Sequence, residues 1–426
     1  MVFSQVELGE YCDIRSSKRI YAKEYVKQGI PFYRSKEIIQ KAKNETVTND
    51  LFISESRFNE INDKYGSPQK GDILLTSVGT LGIPYLVKEN EIFYFKDGNL
   101  TWFTNFSSDL NNEFLYYWFQ SKVGKAEIDR ITIGSTQKAL TIVSLNTLKI
   151  QLPSLSVQNE IVNILKNIDE KIKCNINQLQ LIEQISQTLF KHWFIDFQFP
   201  NEQGQPYKSS GGEMTESELG EIPKEWKVIT IKDVCDANKG SLSKKDNWPY
   251  INYLDTSNIT KNSIENIQFI DAIKDKIPSR AKRKLQANDI VYSTVRPNQQ
   301  HYGIIKEPIE NMIVSTGFTV LRSKGMYSND LIYLWLTQKE VINNLQSLAE
   351  QSASAYPSIK ADDILSMKIL LPSERELDML TKIIKTHNNV IWHNHQEIKK
   401  LSELRDTLLP KLLSGEVEIS DELVVY

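Results

Sequence analysis

Apolar positions along this chain follow two rhythms. Between residues 161 and 193 they step alternately by four and three, at Ile161, Leu165, Ile168, Ile172, Leu179, Ile182, Leu189 and Trp193, with Asn175 and Ser186 in the two remaining places. That 3.5-residue spacing is the seam of a coiled coil. The same places recur later as Leu380, Ile384, His387, Ile391, Asn394, Ile398, Leu401, Arg405, Leu408 and Leu412. The pattern predicts two helices of about 35 residues, each roughly 50 Å long at the usual rise. Elsewhere short apolar runs such as Ile73-Leu74-Leu75, Phe93-Tyr94-Phe95, Ile290-Val291-Tyr292 and Phe318-Thr319-Val320-Leu321 stand between Gly, Asn and Asp, which is the punctuation of strands and turns.

Both rhythms occur twice because the chain repeats itself. Leu152-Pro153 recurs as Leu371-Pro372, an offset of 371 − 152 = 219, and this offset holds without a gap through both helical stretches. Upstream, "NNEFLYYWFQSK" from Asn111 matches "SNDLIYLWLTQK" from Ser328, "KGDILLTSVGT" from Lys70 matches "ANDIVYSTVRP" from Ala287, and "FSQVELGEYCD" from Phe3 matches "WKVITIKDVCD" from Trp226. Two copies of one module are predicted, each a globular part followed by a long helix. The expected class is α/β (α+β), with two similar globular domains (1–152 and 223–371), two helical regions (153–199 and 372–414), a Gly- and Pro-rich linker (200–222) and a tail (415–426).

If the two helices pair antiparallel, the repeat has a pseudo-two-fold axis and the pair acts as a ruler between the domains; a parallel pair would crowd both domains at one end. Each seam carries an Asn near its middle. A buried seam amide fixes register by finding a polar partner, so Asn175 and Asn394 are expected to lie close together, unless the seam merely tolerates them. Apolar residues also stand off the seam. Of these, Phe190, Phe194, Trp392, Leu409 and Leu413 are read as the interface for a helical partner subunit, the alternative being that the chain's own globular parts cover them.

Composition narrows the chemistry. The 426 residues are 40% hydrophobic and 25% charged, with a net charge of −3, which suits a globular protein and provides no whole-chain basic footprint for nucleic acid. No apolar run reaches membrane length and the start carries acids, so a cytoplasmic protein without a membrane partner is expected. Cys12, Cys174 and Cys235 lack metal or disulfide spacing and are read as small buried hydrophobes. No phosphate-binding glycine loop and no zinc-protease motif occurs. The sequences Glu225-Trp226-Lys227 and Glu397-Ile398-Lys399 offer a nuclease-like Glu-x-Lys, but the chain has no Pro-Asp and no Pro-Pro dipeptide, so no catalysis or metal site is expected in this chain.

Local charge points elsewhere. "RSKEIIQKAK" from Arg34 and "KDKIPSRAKRK" from Lys274 are basic stretches in corresponding zones of the two modules, near the amide-rich loops "VRPNQQHYG" (295–303) and "EQSASAYPS" (350–358). Arg reads guanine and Asn or Gln reads adenine in the major groove, so Arg34, Arg296, Asn298, Gln299, Gln300 and Tyr356 are the expected base contacts. Lys36, Lys41, Lys43, Lys138, Lys282, Arg283 and Lys284 are the expected phosphate contacts. Two readers held about 34 Å apart would suit a split target with an unread spacer.

The pieces "LPSLSVQNEIVNIL", "LFKHWFIDF", "SELGEIPKEWKV" and "LLPKLLSGEVEI" together resemble the specificity (S) subunit of type I restriction-modification systems over essentially the whole chain. The resemblance implies two target recognition domains on an antiparallel coil, a bipartite double-stranded DNA target, two methyltransferase (M) subunits and, through them, restriction (R) subunits. S-adenosylmethionine, ATP and magnesium would belong to those partners, with no cofactor in this chain. Competing readings are a coiled-coil adaptor and a diverged nuclease or methyltransferase half.

Overall fold

The computed structural model describes residues 3–43, 45–134, 138–243, 245–325, 327–351 and 357–417. It divides into two compact units, one of residues 1–173 with 399–426 and one of residues 174–398.

In the first unit, strand Phe3–Glu7 pairs antiparallel with Lys149–Pro153, so the globular part closes on its own two ends before the first long helix, Leu155–Phe194, begins. In the second, Lys227–Thr230 pairs with Lys368–Leu371 ahead of the helix Glu374–Ser414. Each unit then holds a four-stranded sheet of matching order. The first runs Asp13–Arg15, Leu100–Thr104, Ile73–Thr76, Pro84–Leu86, and the second Cys235–Ala237, Phe318–Ser323, Asp289–Ser293, Tyr302–Ile305. Their central strands, ILLT and DIVYS, are fully buried. Cys12 and Cys235 occupy matching buried places beside these sheets, and burial pushes both thiols up to about 12.

A second four-stranded sheet differs between the units. In the first it is made of short strands with two helices inserted, Ser35–Ala42 and Glu55–Tyr65. In the second the corresponding zone is extended chain, with Gln268–Asp271 and Ala281–Lys284 forming the two edges of the sheet. The two basic stretches therefore sit on a helix in one unit and on an edge strand in the other.

Within each unit the two long helices run antiparallel. In the second unit Asn175 donates to Glu397 (2.8 Å), Asn394 donates to Gln178 (3.1 Å), and Ser186 Oγ meets His387 Nδ1 (2.8 Å), so positions on one helix fall as those on the other rise. In the first unit Arg405 bonds Asp169 (3.0 Å). The seam amides do not bond each other; each finds another polar partner across the seam. Each reaches the residue one turn beyond its twin, and the 219-residue offset converts the Asn175–Glu397 contact into the Asn394–Gln178 contact, so the two are one interaction made twice.

One further expectation is corrected, and one segment gains detail. Cys174 is exposed, because it lies off the seam on the helix surface. The linker is structured: Met214–Ser217 and Gly220–Pro223 form a hairpin, and Phe199 stacks between Tyr207 and Trp226. Three aromatic anchors suffice to fold it, too few to produce a period.

Candidate nucleic-acid interface

Each globular part turns a corner immediately after its central buried strand, and the two corners are built alike. In the first unit Val78 bridges Ala139, and the Leu140 N–H donates to the Ser77 carbonyl (3.0 Å). In the second Val295 bridges Ser358, and the Ile359 N–H donates to the Thr294 carbonyl (2.9 Å). Two loops distant in sequence are thus stitched together at one place in each unit. Lys138 stands exposed beside the first stitch, and Arg296, Asn298, Gln299 and Gln300 follow the second. Tyr356, and most of the loop that carries it, lie outside the described residues.

The backbone at the corner is unusual. Arg296 (φ 47°) and Gln300 (φ 59°) both occupy the left-handed region, which costs a non-glycine residue on the order of 1 kcal/mol or more. Hydrogen bonds hold the turn in place: the Arg296 N–H donates to the Pro357 carbonyl (3.0 Å), and the Asn298 N–H donates to Gln346 Oε1 (3.2 Å). Arg296 and Gln299 face outward. Asn298 and Gln300 instead line a cleft of about 780 Å³ with Glu183, Gln187, Asn262 and Tyr333. Burial pushes the Glu183 carboxyl up, against the pull of Lys261.

The basic zones divide into free and committed cations. Lys36, Lys43 and Lys282 are exposed, with Lys43 4.0 Å from Glu45. Arg283 is half-buried, and its Nε finds no hydrogen-bond partner among the described residues. Arg34, Lys41 and Lys284 do not fit their expected roles. Arg34 clamps the buried Glu37 and also Asp50, both at 2.7 Å; burial pushes the Glu37 carboxyl up, but the Arg34 bonds outweigh it and hold it below its ordinary value. Lys41 is paired with Glu91 (2.6 Å) and ringed by Tyr33, Tyr85 and Phe93. Lys284 is paired with Asp246 and lies over Trp248. A cation held by a carboxylate and an aromatic wall has little to give a phosphate.

The two sides of the helical seam differ. Residues that immediately follow a seam position lie on the flank that carries the globular parts: Lys166 meets Glu113 and Asp169 meets Tyr117 in the first unit, and Asn388 meets Asp330 in the second. This corrects the expected partner interface. Phe190 and Phe194 are buried against Trp226 and Trp335, and Leu409 and Leu413 sit in the core of the first unit; all four follow a seam position, and so does the half-buried Trp392. Several residues that precede a seam position are open instead. Leu181 (58% exposed), Ile185 (54%) and Val390 (39%) in the second unit, and Leu404 (46%) in the first, present apolar surface to solvent. The side of the seam does not settle burial alone: Ile176 follows seam residue Asn175 and is 41% exposed, whereas Ile164 and Ile383 precede seam residues and pack against the two cores.

Comparison with known proteins decides the family. A model described as the type I restriction modification DNA specificity domain matches residues 3–187 and again 223–403. The chain is a member of the type I DNA specificity family. The specificity subunit MjaIX of Methanocaldococcus jannaschii is 26% identical over 371 residues, covering 83% of this chain and 79% of that protein. The MjaVIII specificity subunit of the same organism is 24% identical over 380 residues, 86% of this chain and 84% of its own length. The crystal structure of a type I restriction-modification S subunit from M. genitalium shares the fold, with a TM-score of 0.58 and 15% identity over 98% of this chain and 97% of that one. This specificity subunit thus carries the family domain twice. Among its described residues no helix is long and apolar enough to cross a membrane, and no cluster of His, Cys, Asp or Glu is placed to hold a metal.

Proposed function

We propose that each unit of this specificity subunit reads one half of a bipartite double-stranded DNA target through its stitched corner, and that the helical pair sets the unread spacer. The observation that supports this reading is the identical stitching of two corners that carry different side chains, Gly79-Thr80-Leu81-Gly82 in one and Arg296-Pro297-Asn298-Gln299-Gln300 in the other. The scaffold is repeated; the reading edge is not. Outward Arg296 and Gln299 supply guanine- and adenine-reading groups, and exposed Lys36, Lys43, Lys138 and Lys282 supply phosphate contacts.

The chain itself performs no chemistry in this reading. Methylation and cleavage, with S-adenosylmethionine, ATP and magnesium, belong to methyltransferase and restriction subunits. The open apolar flank around Leu181, Ile185, Val390 and Leu404 is where the methyltransferase subunits dock, because apolar side chains at helical spacing suit a further helix.

The test is to sequence methylated bases in cells that express the chain with its methyltransferase, before and after replacing residues 296–300 by another loop. One half of the recognised motif should change while the other half and the spacer stay fixed. Loss of both halves together, or no change in either, would overturn the assignment of the corner as reader.

A further inference from the structure

Arginines in the globular part of the first unit are matched by carboxylates, with one exception. Arg19 bonds Asp97 (2.7 Å), Arg34 bonds Glu37 and Asp50, Arg57 bonds Glu24 and Glu60, and Arg130 bonds Glu127 (2.7 Å). Arg15 meets no carboxylate among the described residues. It is half-buried, with its guanidinium 3.9 Å from the centre of the Trp102 ring and its Nε sealed without a hydrogen-bond partner. The indole is held in place, because Asp72 accepts its N–H (2.7 Å) and Phe95 packs edge-on against it (6.0 Å). A cation drawn partly out of water without a counter-charge is an incomplete arrangement, and a planar fork laid on an aromatic ring is preorganised for an oxyanion.

Two lysines gather at the same place. A Cβ on Gly66 would stand 3.6 Å from Arg15 Nη2 and 3.5 Å from Trp102 Cη2, and the adjoining Tyr65 has Lys18 Nζ 5.1 Å and Lys64 Nζ 5.9 Å from its ring. The Lys18 backbone is fixed by its N–H, which donates to the buried Tyr94 hydroxyl (2.7 Å). Nearby acids do not pair with these cations. Asp13 accepts from Asn105 (2.7 Å), the exposed Asp63 forms no ion pair among the described residues, and the end of the helix Glu55–Tyr65 supplies only about half a negative charge.

The patch adjoins the first stitched corner. The Gly98 N–H donates to Ser16 Oγ (3.4 Å) and Arg19 holds Asp97, so residues 16–19 grip the turn 96–99; the Asn99 carbonyl then accepts the Ser77 N–H (2.9 Å), next to the bridging Val78. The repeat itself requires no cation at this place. Counting from Cys12 and its twin Cys235, Arg15 corresponds to Asn238, whose side chain is spent on the Val320 N–H (2.9 Å).

We propose that Arg15, with Lys18 beside it, holds a phosphate of the DNA backbone next to the first stitched corner. This rests on the bipartite reading given above, and it gives the first unit an anchor that its glycine-built corner does not supply. The fork selects no base; it fixes the duplex against the corner.

The experiment uses the chain assembled with its methyltransferase partner, and measures specific DNA affinity across a range of salt concentrations for wild type, Arg15→Gln, Arg15→Lys and Lys18→Gln, with a melting curve for each. Arg15→Gln should reduce the slope of log affinity against log salt by about 0.9, the value for one phosphate, with the methylated motif unchanged. Arg15→Lys should recover only part of the lost affinity, because an ammonium cannot form the bidentate pair. An unaltered slope in Arg15→Gln, with only a lowered melting temperature, makes the arginine a packing residue; that overturns the inference and leaves the bipartite reading standing. If Arg15→Gln does not fold, the exposed Lys18 decides: a reduced slope in Lys18→Gln supports the site, and an unaltered one overturns it. A changed motif also overturns it, because a phosphate contact carries no sequence. Binding of inorganic phosphate that Arg15→Gln abolishes while the DNA slope stays unaltered marks a free-anion site and overturns it likewise. If the wild-type complex shows no salt-dependent affinity for any DNA, both readings fall.

Discussion

The two stitched corners occupy the same place in their units, yet one is built from glycine and the other from arginine. Gly79 (φ 81°) and Arg296 (φ 47°) are twin positions one residue past the bridging valines, and both adopt the left-handed backbone. Glycine takes that conformation without steric cost, whereas arginine does so only because Pro357 and Gln346 hold the turn. A repeated fold that places a large cation where its own second copy has no side chain at all is accepting strain for what the side chain does. The same contrast recurs deeper in the scaffold. Asp72 and Asp289 each accept the backbone N–H three residues earlier, at 2.8 and 2.7 Å, but Asp72 then accepts from the Trp102 indole (2.7 Å) while Asp289 grips Arg322 at 2.7 and 2.6 Å. The backbone role is held in common and the partner is free to differ.

The largest effect expected from this comparison is at that aspartate. Asp289→Ala strips the counter-charge from a half-buried Arg322 and should destabilise the second unit by about 3 kcal/mol, whereas Asp72→Ala leaves an indole N–H unpaired and should cost the first unit about 1–2 kcal/mol. Denaturant unfolding followed unit by unit checks the order; an equal or reversed order would break the contrast. A smaller effect of opposite sign is expected at the corner. Arg296→Gly should stabilise the second unit by about 1 kcal/mol while relaxing one position of the methylated motif, and Gly79→Ala should cost the first unit about the same. If Arg296→Gly destabilises, the arginine is there for structure.

The smallest effect concerns pH. His387, bonded to Ser186, and His395 both have their protonation held below the ordinary value by burial, while their twin places are Ile168 and Ile176. A histidine neutral in the folded state but protonated when unfolded leaves the unfolded chain binding more protons. Stability is therefore full above about pH 6.5 and falls as pH drops from there toward the folded-state value. The second unit should weaken on acidification more than the first, and His387→Gln should flatten its melting temperature against pH between 7 and 5.

Most of the architecture was legible because it rests on period. The 3.5-residue seam located both helices, and the 219-residue offset exposed the repeat, since burying one face of a helix constrains every third or fourth residue. What period does not carry was missed. Stagger between antiparallel helices depends on side chains across the seam, so the period names no bonding partner for Asn175, which bonds Glu397. Which flank of the seam is covered depends on where the globular part rests, so Phe190 and Leu413 are buried while Leu181 is open. Whether a cation is available depends on neighbours remote in sequence: Lys41 meets Glu91 across fifty residues, while Lys36 on the same helix meets no carboxylate among the described residues.

The strand pairs Phe3–Glu7 with Lys149–Pro153, and Lys227–Thr230 with Lys368–Leu371, bring the entrance and exit of each globular part side by side. Each is therefore a cartridge with both terminals on one socket. A foreign cartridge of different size and loop content needs only to present the same two adjoining ends, so a whole globular part is free to be exchanged while the rods go undisturbed.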